Sequence, residues 1–268
     1  MKRLLTPLFI LSIALPKLSA VVVATPEMGV DYDSAPPLGE PWNNVLNTAS
    51  TTGTSIYLGG GWILTANHVF VGGPSSTSSG VVYEGTTFNA DPGQIYELNN
   101  PPVPGGNPDL RLYRLEQQLG LPTLDLGGPV IGTPVTMIGY GGGKSWGRNT
   151  VESTPVIVSA AGRSSVTFST DYDTSTPGEG QAITGDSGGG VFYQTPGGDW
   201  VLGGVMLAVG DLLGEESTFS ADMGTYGSEI ETIILTNGSA PVPEPSVTFL
   251  AGFAGLALLR RNRRPSHR

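Results

Sequence analysis

The segment Gly185-Asp186-Ser187-Gly188-Gly189 sets a serine in a glycine-rich turn, and His68 stands far upstream in Leu64-Thr65-Ala66-Asn67-His68-Val69. The chain has only two histidines, and the other, His267, lies in a basic tail. At neutral pH a serine hydroxyl becomes a nucleophile when a base takes its proton, and imidazole is the usual base. The chain therefore nominates its own base, and the chemistry expected is attack on a carbonyl. Chain order separates the possible frameworks. The serine segment also fits the loose G-x-S-x-G pattern of the nucleophile elbow, but that framework places its histidine after the serine, where only His267 follows. An Asp-His-Ser order could be assembled from Asp33, His68 and Ser187, but it needs long helices around a parallel sheet, and helical signals here are few.

The elements that must position these residues read as strands. The chain carries 40 Gly and 22 Pro among 268 residues, with few charged side chains. Its apolar residues fall in short alternating runs and not in long 3.6-period stripes. Ser55-Ile56-Tyr57-Leu58, residues 109–115 and residues 156–158 read as strands, and only residues 228–235 read as a helix. Short strands with glycine-rich turns predict an all-β barrel or sandwich, and the length allows one large domain or two small barrels.

Three segments in order, Gly60-Gly61-Trp62-Ile63-Leu64-Thr65-Ala66-Asn67-His68, Asp109-Leu110-Arg111-Leu112-Tyr113-Arg114-Leu115 and Thr184 to Gly190, resemble the trypsin-like (chymotrypsin-fold) serine peptidases over roughly residues 42–235. The resemblance implies an all-β fold of two antiparallel six-stranded β-barrels with a short C-terminal helix and the active site between them. The expected divisions are 36–122 for the barrel carrying His68 and Asp109, 123–238 for the barrel carrying Ser187, and a junction near residues 120–132. By role, Ser187 is the nucleophile, His68 the base and then the acid, and Asp109 the carboxylate that orients the imidazole. Asp109 begins an alternating strand in which Leu110, Leu112 and Leu115 can be buried. Asp91, in Ala90-Asp91-Pro92-Gly93, is its rival, in a context that reads as a turn. The backbone N–H groups of Gly185 and Ser187 form the expected oxyanion hole, and Gly188 and Gly189 permit close packing behind the nucleophile.

Asp186 is the expected member of a structural ion pair. Its candidate cations are a new amino terminus at Val21, Arg148 and Arg163. Family alignment places Gln181 at the base of the specificity pocket and Leu207, Ala208 and Val209 along one wall. No aspartate sits at that base, which disfavours cleavage after lysine or arginine and points to an apolar or small polar residue. The serine often found on that wall as support for the catalytic aspartate is missing. Asp171-Tyr172-Asp173-Thr174-Ser175 has alternating oxygen ligands but lacks the glycine and glutamate of an EF-hand loop, so a solvated acidic loop is expected, with no metal and no cofactor.

Both ends read as processing signals. Residues 1–20 have a charged start, an apolar stretch and small residues at Ala20 or Ala24 suited to cleavage, the pattern of a signal peptide. Residues 239–245 read as a linker. Residues 243–268, with Pro243-Glu244-Pro245, a 13-residue apolar run and an arginine cluster, resemble the bacterial PEP-CTERM sorting signal. That resemblance implies an exosortase-type sorting machinery, transient membrane anchoring through the tail alone, and a destination at the cell surface or in the extracellular matrix of a Gram-negative-type bacterium. Without leader and tail, five of the 13 cations remain against 23 acids, a net charge of about −18. Such a surface repels nucleic acid. There is no cysteine, so no disulfide staples the fold although export would permit one. The partner expected is a protein or peptide substrate. A non-catalytic surface module on the same scaffold and an esterase using the same triad are the alternatives.

Overall fold

A computed structural model describes residues 20–49, 52–70, 79–100 and 106–238. The expected signal peptide up to Ser19, the linker and the sorting tail lie outside them. Among the described residues no helix is long and apolar enough to cross a membrane.

The strands are β1 (Val22–Val23), β2 (Val45–Thr48), β3 (Thr54–Gly59), β4 (Trp62–Ala66), β5 (Gly80–Tyr83), β6 (Thr86–Glu97), β7 (Leu110–Leu115), β8 (Asp125–Leu126), β9 (Pro134–Gly139), β10 (Ser145–Thr150), β11 (Ser153–Ala160), β12 (Arg163–Asp171), β13 (Gly180–Gln181), β14 (Gly190–Gln194), β15 (Trp200–Leu212) and β16 (Glu215–Asp222), followed by one helix, α1 (Met223–Asn237). Six of them close a barrel in the order β2-β3-β4-β7-β6-β5. The second half is an eight-stranded sheet, β10-β9-β14-β15-β16-β12-β11, with β8 pairing β15 in parallel. The fold is the expected chymotrypsin-like one, with the second half curled into an open sheet instead of a sealed six-stranded barrel.

Side-chain alternation explains the packing. Leu46, Tyr57, Ile63, Val81, Ala90, Tyr113 and Leu115 come from all six barrel strands and fill the barrel interior. The opposite faces of β3, β4 and β7 are not left to water. Ile56, Leu58, Leu64, Leu110 and Leu112 join Ile138, Phe192, Leu202, Val205 and Leu207 of the second half in one buried cluster. Strands buried on both faces read as near-continuous apolar runs, as β4 does with Trp62-Ile63-Leu64. The two halves therefore share a core, and residues at the strand ends meet along the seam.

The helix, at Met223–Asn237, is longer at both ends than the expected residues 228–235. Asp222 caps α1 by accepting the Gly224 N–H, which starts the helix ahead of residue 228. Tyr226 of α1 is fully buried, and its hydroxyl donates to Asn100 Oδ1 at 2.8 Å and accepts the Val166 N–H at 2.8 Å. This ties α1 to both halves.

Candidate active site

His68 lies in a 3-10 turn, Asn67–Val69, directly after β4. Antiparallel pairing of β4 with β7 sets Ala66 opposite Leu110, which carries Asp109 alongside the turn. The Asn67 N–H donates to the Asp109 carbonyl at 3.1 Å. The Asp109 side chain, fully buried, accepts twice from the histidine: Oδ1 from the His68 backbone N–H at 3.0 Å and Oδ2 from Nδ1 at 2.6 Å. A carboxylate held this way fixes both the ring orientation and the tautomer with its proton on Nδ1, leaving Nε2 free to take a proton. Asp91 is elsewhere. Its Oδ1 accepts the Gly93 N–H at 2.9 Å inside β6, where the register with β7 shifts between Ala90 and Ile95.

Ser187 stands in the turn before β14, pulled against the opposite half. Its carbonyl accepts the Thr54 N–H of β3 at 2.9 Å. Gly188, at φ +87°, makes this approach possible, since a Cβ there would lie 2.0 Å from the Thr54 carbonyl oxygen and 2.3 Å from Thr65 Oγ1. Thr65 is three residues before His68, so serine and imidazole are brought to the same stretch of the seam. No hydrogen bond joins Ser187 Oγ to the ring among the described residues, and such bonds often tighten only with substrate bound. Gly185 has φ +103°, and a Cβ on it would stand 2.7 Å from Gly141 Cα. The Gly185 and Ser187 N–H groups make no hydrogen bond within the described residues, which leaves them available to an acceptor beside the nucleophile.

Asp186 is fully buried, and its carboxylate is held by the main chain: Oδ1 accepts the Gly141 N–H at 2.9 Å and Oδ2 the Ile183 N–H at 2.8 Å. Burial pushes its pKa up to about 6 against the help of these donors. Neither arginine named for it pairs with it here. Arg163 bonds Glu97 at 3.0 Å, and the Arg148 guanidinium lies 5.1 Å from the Trp146 ring centre. Val21, fully buried, is the candidate left, connected to Asp186 through two residues: its carbonyl accepts Ser145 Oγ at 3.3 Å, and Ser145 pairs across the hairpin with Gly139, where a Cβ would meet Asp186 Oδ1 at 2.2 Å.

Next to the serine is a cavity of about 240 Å³ lined by Ala182, Ile183, Thr184, Ser187 and residues 206–209. Leu207, Ala208 and Val209 thus border it, and no lining side chain is charged. Gln181 is not among the lining residues; it pairs in β13 with Val22 of β1. Asp173 closes its own turn, accepting from the Ser175 N–H at 2.8 Å and Oγ at 2.9 Å.

Two supports carried no signal in the sequence. Ser165 of β12, in the other half, accepts the Asp109 N–H at 2.9 Å. Arg111 of β7 donates to Asn67 Oδ1 at 2.5 Å and pairs with Glu97 at 2.6 Å, bracing the turn that holds His68. Partial burial raises the Glu97 carboxyl, but hydrogen bonds from Asn107 and Arg163 and the charges of Arg111 and Arg163 outweigh it and hold the group low.

The fold is shared with solved proteases. The chain is similar to the active form of the Rv3671c protease from M. tuberculosis at 18% identity, with a TM-score of 0.56 over 90% of this chain and 97% of that one. The inactive form of that protease gives 17% identity and a TM-score of 0.53 over 81% and 100%. The NS6 protease from murine norovirus 1 gives 19% identity and 0.51 over 73% and 97%. No curated protein sequence matches the chain. Residues 51–203, which include His68, Asp109 and Ser187, match the model of the trypsin-like peptidase domain, and the chain belongs to that family.

Proposed function

We propose that this peptidase is an exported serine endopeptidase that cleaves peptide bonds through an acyl-enzyme. Ser187 Oγ attacks the scissile carbonyl while His68 Nε2 takes its proton. The ring then returns that proton to the leaving amine, and water repeats the sequence to release the acid. Asp109 stabilises the imidazolium formed in each step. The Gly185 and Ser187 N–H groups receive the developing oxyanion, and donors so placed are typically worth about 3 kcal/mol each in the transition state. The observation that carries this reading is the pair of hydrogen bonds from His68 to the buried Asp109, with Nδ1 at 2.6 Å, on the seam where Ser187 is anchored.

The uncharged cavity beside Ser187 favours a small or apolar residue before the scissile bond, because a buried lysine or arginine would find no carboxylate there. Fluorophosphonate labelling of the purified chain, with Ser187→Ala as control, tests the nucleophile. A peptide library then separates a peptidase from an esterase, and absence of labelling and of turnover would leave a non-catalytic module. Export through the leader and delivery to the cell surface by an exosortase-type system belong to the same proposal and rest on the two terminal signals.

A further inference from the structure

Thr54 is fully buried at the start of β3, in the half opposite the nucleophile turn. All of its polar groups are directed at that turn or its supports. Its N–H donates to the Ser187 carbonyl at 2.9 Å, and its carbonyl accepts the Thr65 hydroxyl at 2.6 Å. Its own hydroxyl lies 3.2 Å from the Gly185 carbonyl oxygen and 3.0 Å from the Tyr140 nitrogen. A hydroxyl has one proton and two acceptor lone pairs. An N–H can only donate and a carbonyl can only accept, so the Thr54 proton goes to Gly185 and the Tyr140 proton comes to Thr54.

We propose that the Thr54 hydroxyl is a positioning group for the oxyanion hole, fixing the Gly185–Asp186 peptide from the other half of the molecule. This rests on the reading of Ser187 as nucleophile and of the Gly185 N–H as an oxyanion donor. The peptide joining Gly185 to Asp186 is held on both edges: its N–H, on Asp186, donates to the Ile183 carbonyl at 3.0 Å, and its carbonyl, on Gly185, accepts from Thr54. With that plane fixed, the Gly185 N–H can swing only by rotation about the bonds to Gly185 Cα. A glycine at φ +103° has wide freedom unless its neighbours are pinned. The Tyr140 N–H bond adds the second wall, because Gly141 packs against Gly185 and donates to Asp186. Thr54 thus links the donor and the turn that backs it through its hydroxyl, and the serine carbonyl through its N–H.

The test compares wild type with Thr54→Val, which keeps the shape and removes the hydroxyl, and with Thr54→Ser, which restores it. Steady-state kinetics on a peptide substrate are read below the Tm of every variant. Thr54→Val is expected to lower kcat by about 10- to 100-fold, with KM within about twofold, since aim at the transition state is lost and ground-state binding is not. Thr54→Ser is expected to regain most of that loss. Should Thr54→Val fail to fold, Thr54→Ala carries the same expectation without a methyl against the polar neighbours. A hydroxyl-free variant with wild-type kcat, or a serine variant as impaired as the valine one, would overturn the inference and leave Thr54 a packing residue. Failure of the underlying reading looks different: the wild type itself would then not be labelled at Ser187 by a fluorophosphonate.

Discussion

Asp109 faces two donors on one histidine, and each of its oxygens has its own proton to accept. An amide in its place must turn an NH2 toward one of them. Asp109→Asn is therefore expected to keep the fold and lower kcat by about 10⁴ through the wrong tautomer, whereas Asp91→Asn, remote in its own turn, leaves kcat unchanged; parallel steady-state assays decide between the two aspartates. Because the imidazole must be neutral to act as base, kcat/KM is expected to fall on acidification, and a flat profile between about pH 5 and 9 in a stable enzyme would argue against a histidine base. His68, Asp109 and Ser187 were legible because their types, order and flanking glycines are local. Thr54 and Ser165 were not, since a threonine or serine among many acquires its meaning from a bond to a residue 131 or 56 positions away.

The strands at residues 55–58, 109–115 and 156–158 fall within or across β3, β7 and β11, because alternation repeated over several residues survives any tertiary context. The two-residue strands β1 and β13 were invisible, being too short to show a period. Their pairing bears on the leader. Val22 and Val23 pair with Gln181 and Gly180, and the Ala24 N–H donates to the Glu179 carbonyl at 2.7 Å. If residues 1–20 are a cleaved leader, cleavage after Ala24 would remove β1 whereas cleavage after Ala20 keeps it, so amino-terminal sequencing of the native mature protein is expected to begin at Val21. A new amine at Val21 is then the remaining candidate partner of Asp186. With the leader attached, burial raises that carboxyl from 3.8 to about 6, so the folded chain holds its proton more tightly than the unfolded one. Stability then falls as pH rises from about 4 to 6, by about 3 kcal/mol. A cation at Val21 favours the carboxylate and cancels that loss. Urea unfolding across this range should slope downward for the leader-bearing chain and not for the chain beginning at Val21; identical slopes would eliminate the amine.

The two halves are joined by more than a shared core, and Lys144 is the link with a pH signature. From the β9–β10 turn it reaches the first half, donating to the Trp42 carbonyl at 2.5 Å and the Val45 carbonyl at 2.7 Å. Its ammonium also lies 4.3 Å from the Trp42 ring centre and 5.7 Å from that of Tyr140. No carboxylate pairs with it among the described residues, and burial pushes its pKa down to about 7. The unfolded chain holds that proton up to its ordinary range, so stability is expected to rise with pH above about 7, by at most about 3 kcal/mol at pH 9. Lys144→Met should flatten the rise in urea unfolding, and an equal rise in both proteins would assign it to other groups. Charge also sets the last expectation, at the other end of the chain. If the leader is removed, the body carries about −13 with its arginine-rich tail and about −18 without it. If the segment from Pro243 is a processed sorting signal, the surface-delivered protein ends at about Pro245, free of the apolar run that would hold it in a bilayer and of the five arginines that offset its acids. Intact mass of native material measures this directly, and recovery of the Arg260 to Arg268 tail on the extracellular protein would make a retained membrane anchor the better account.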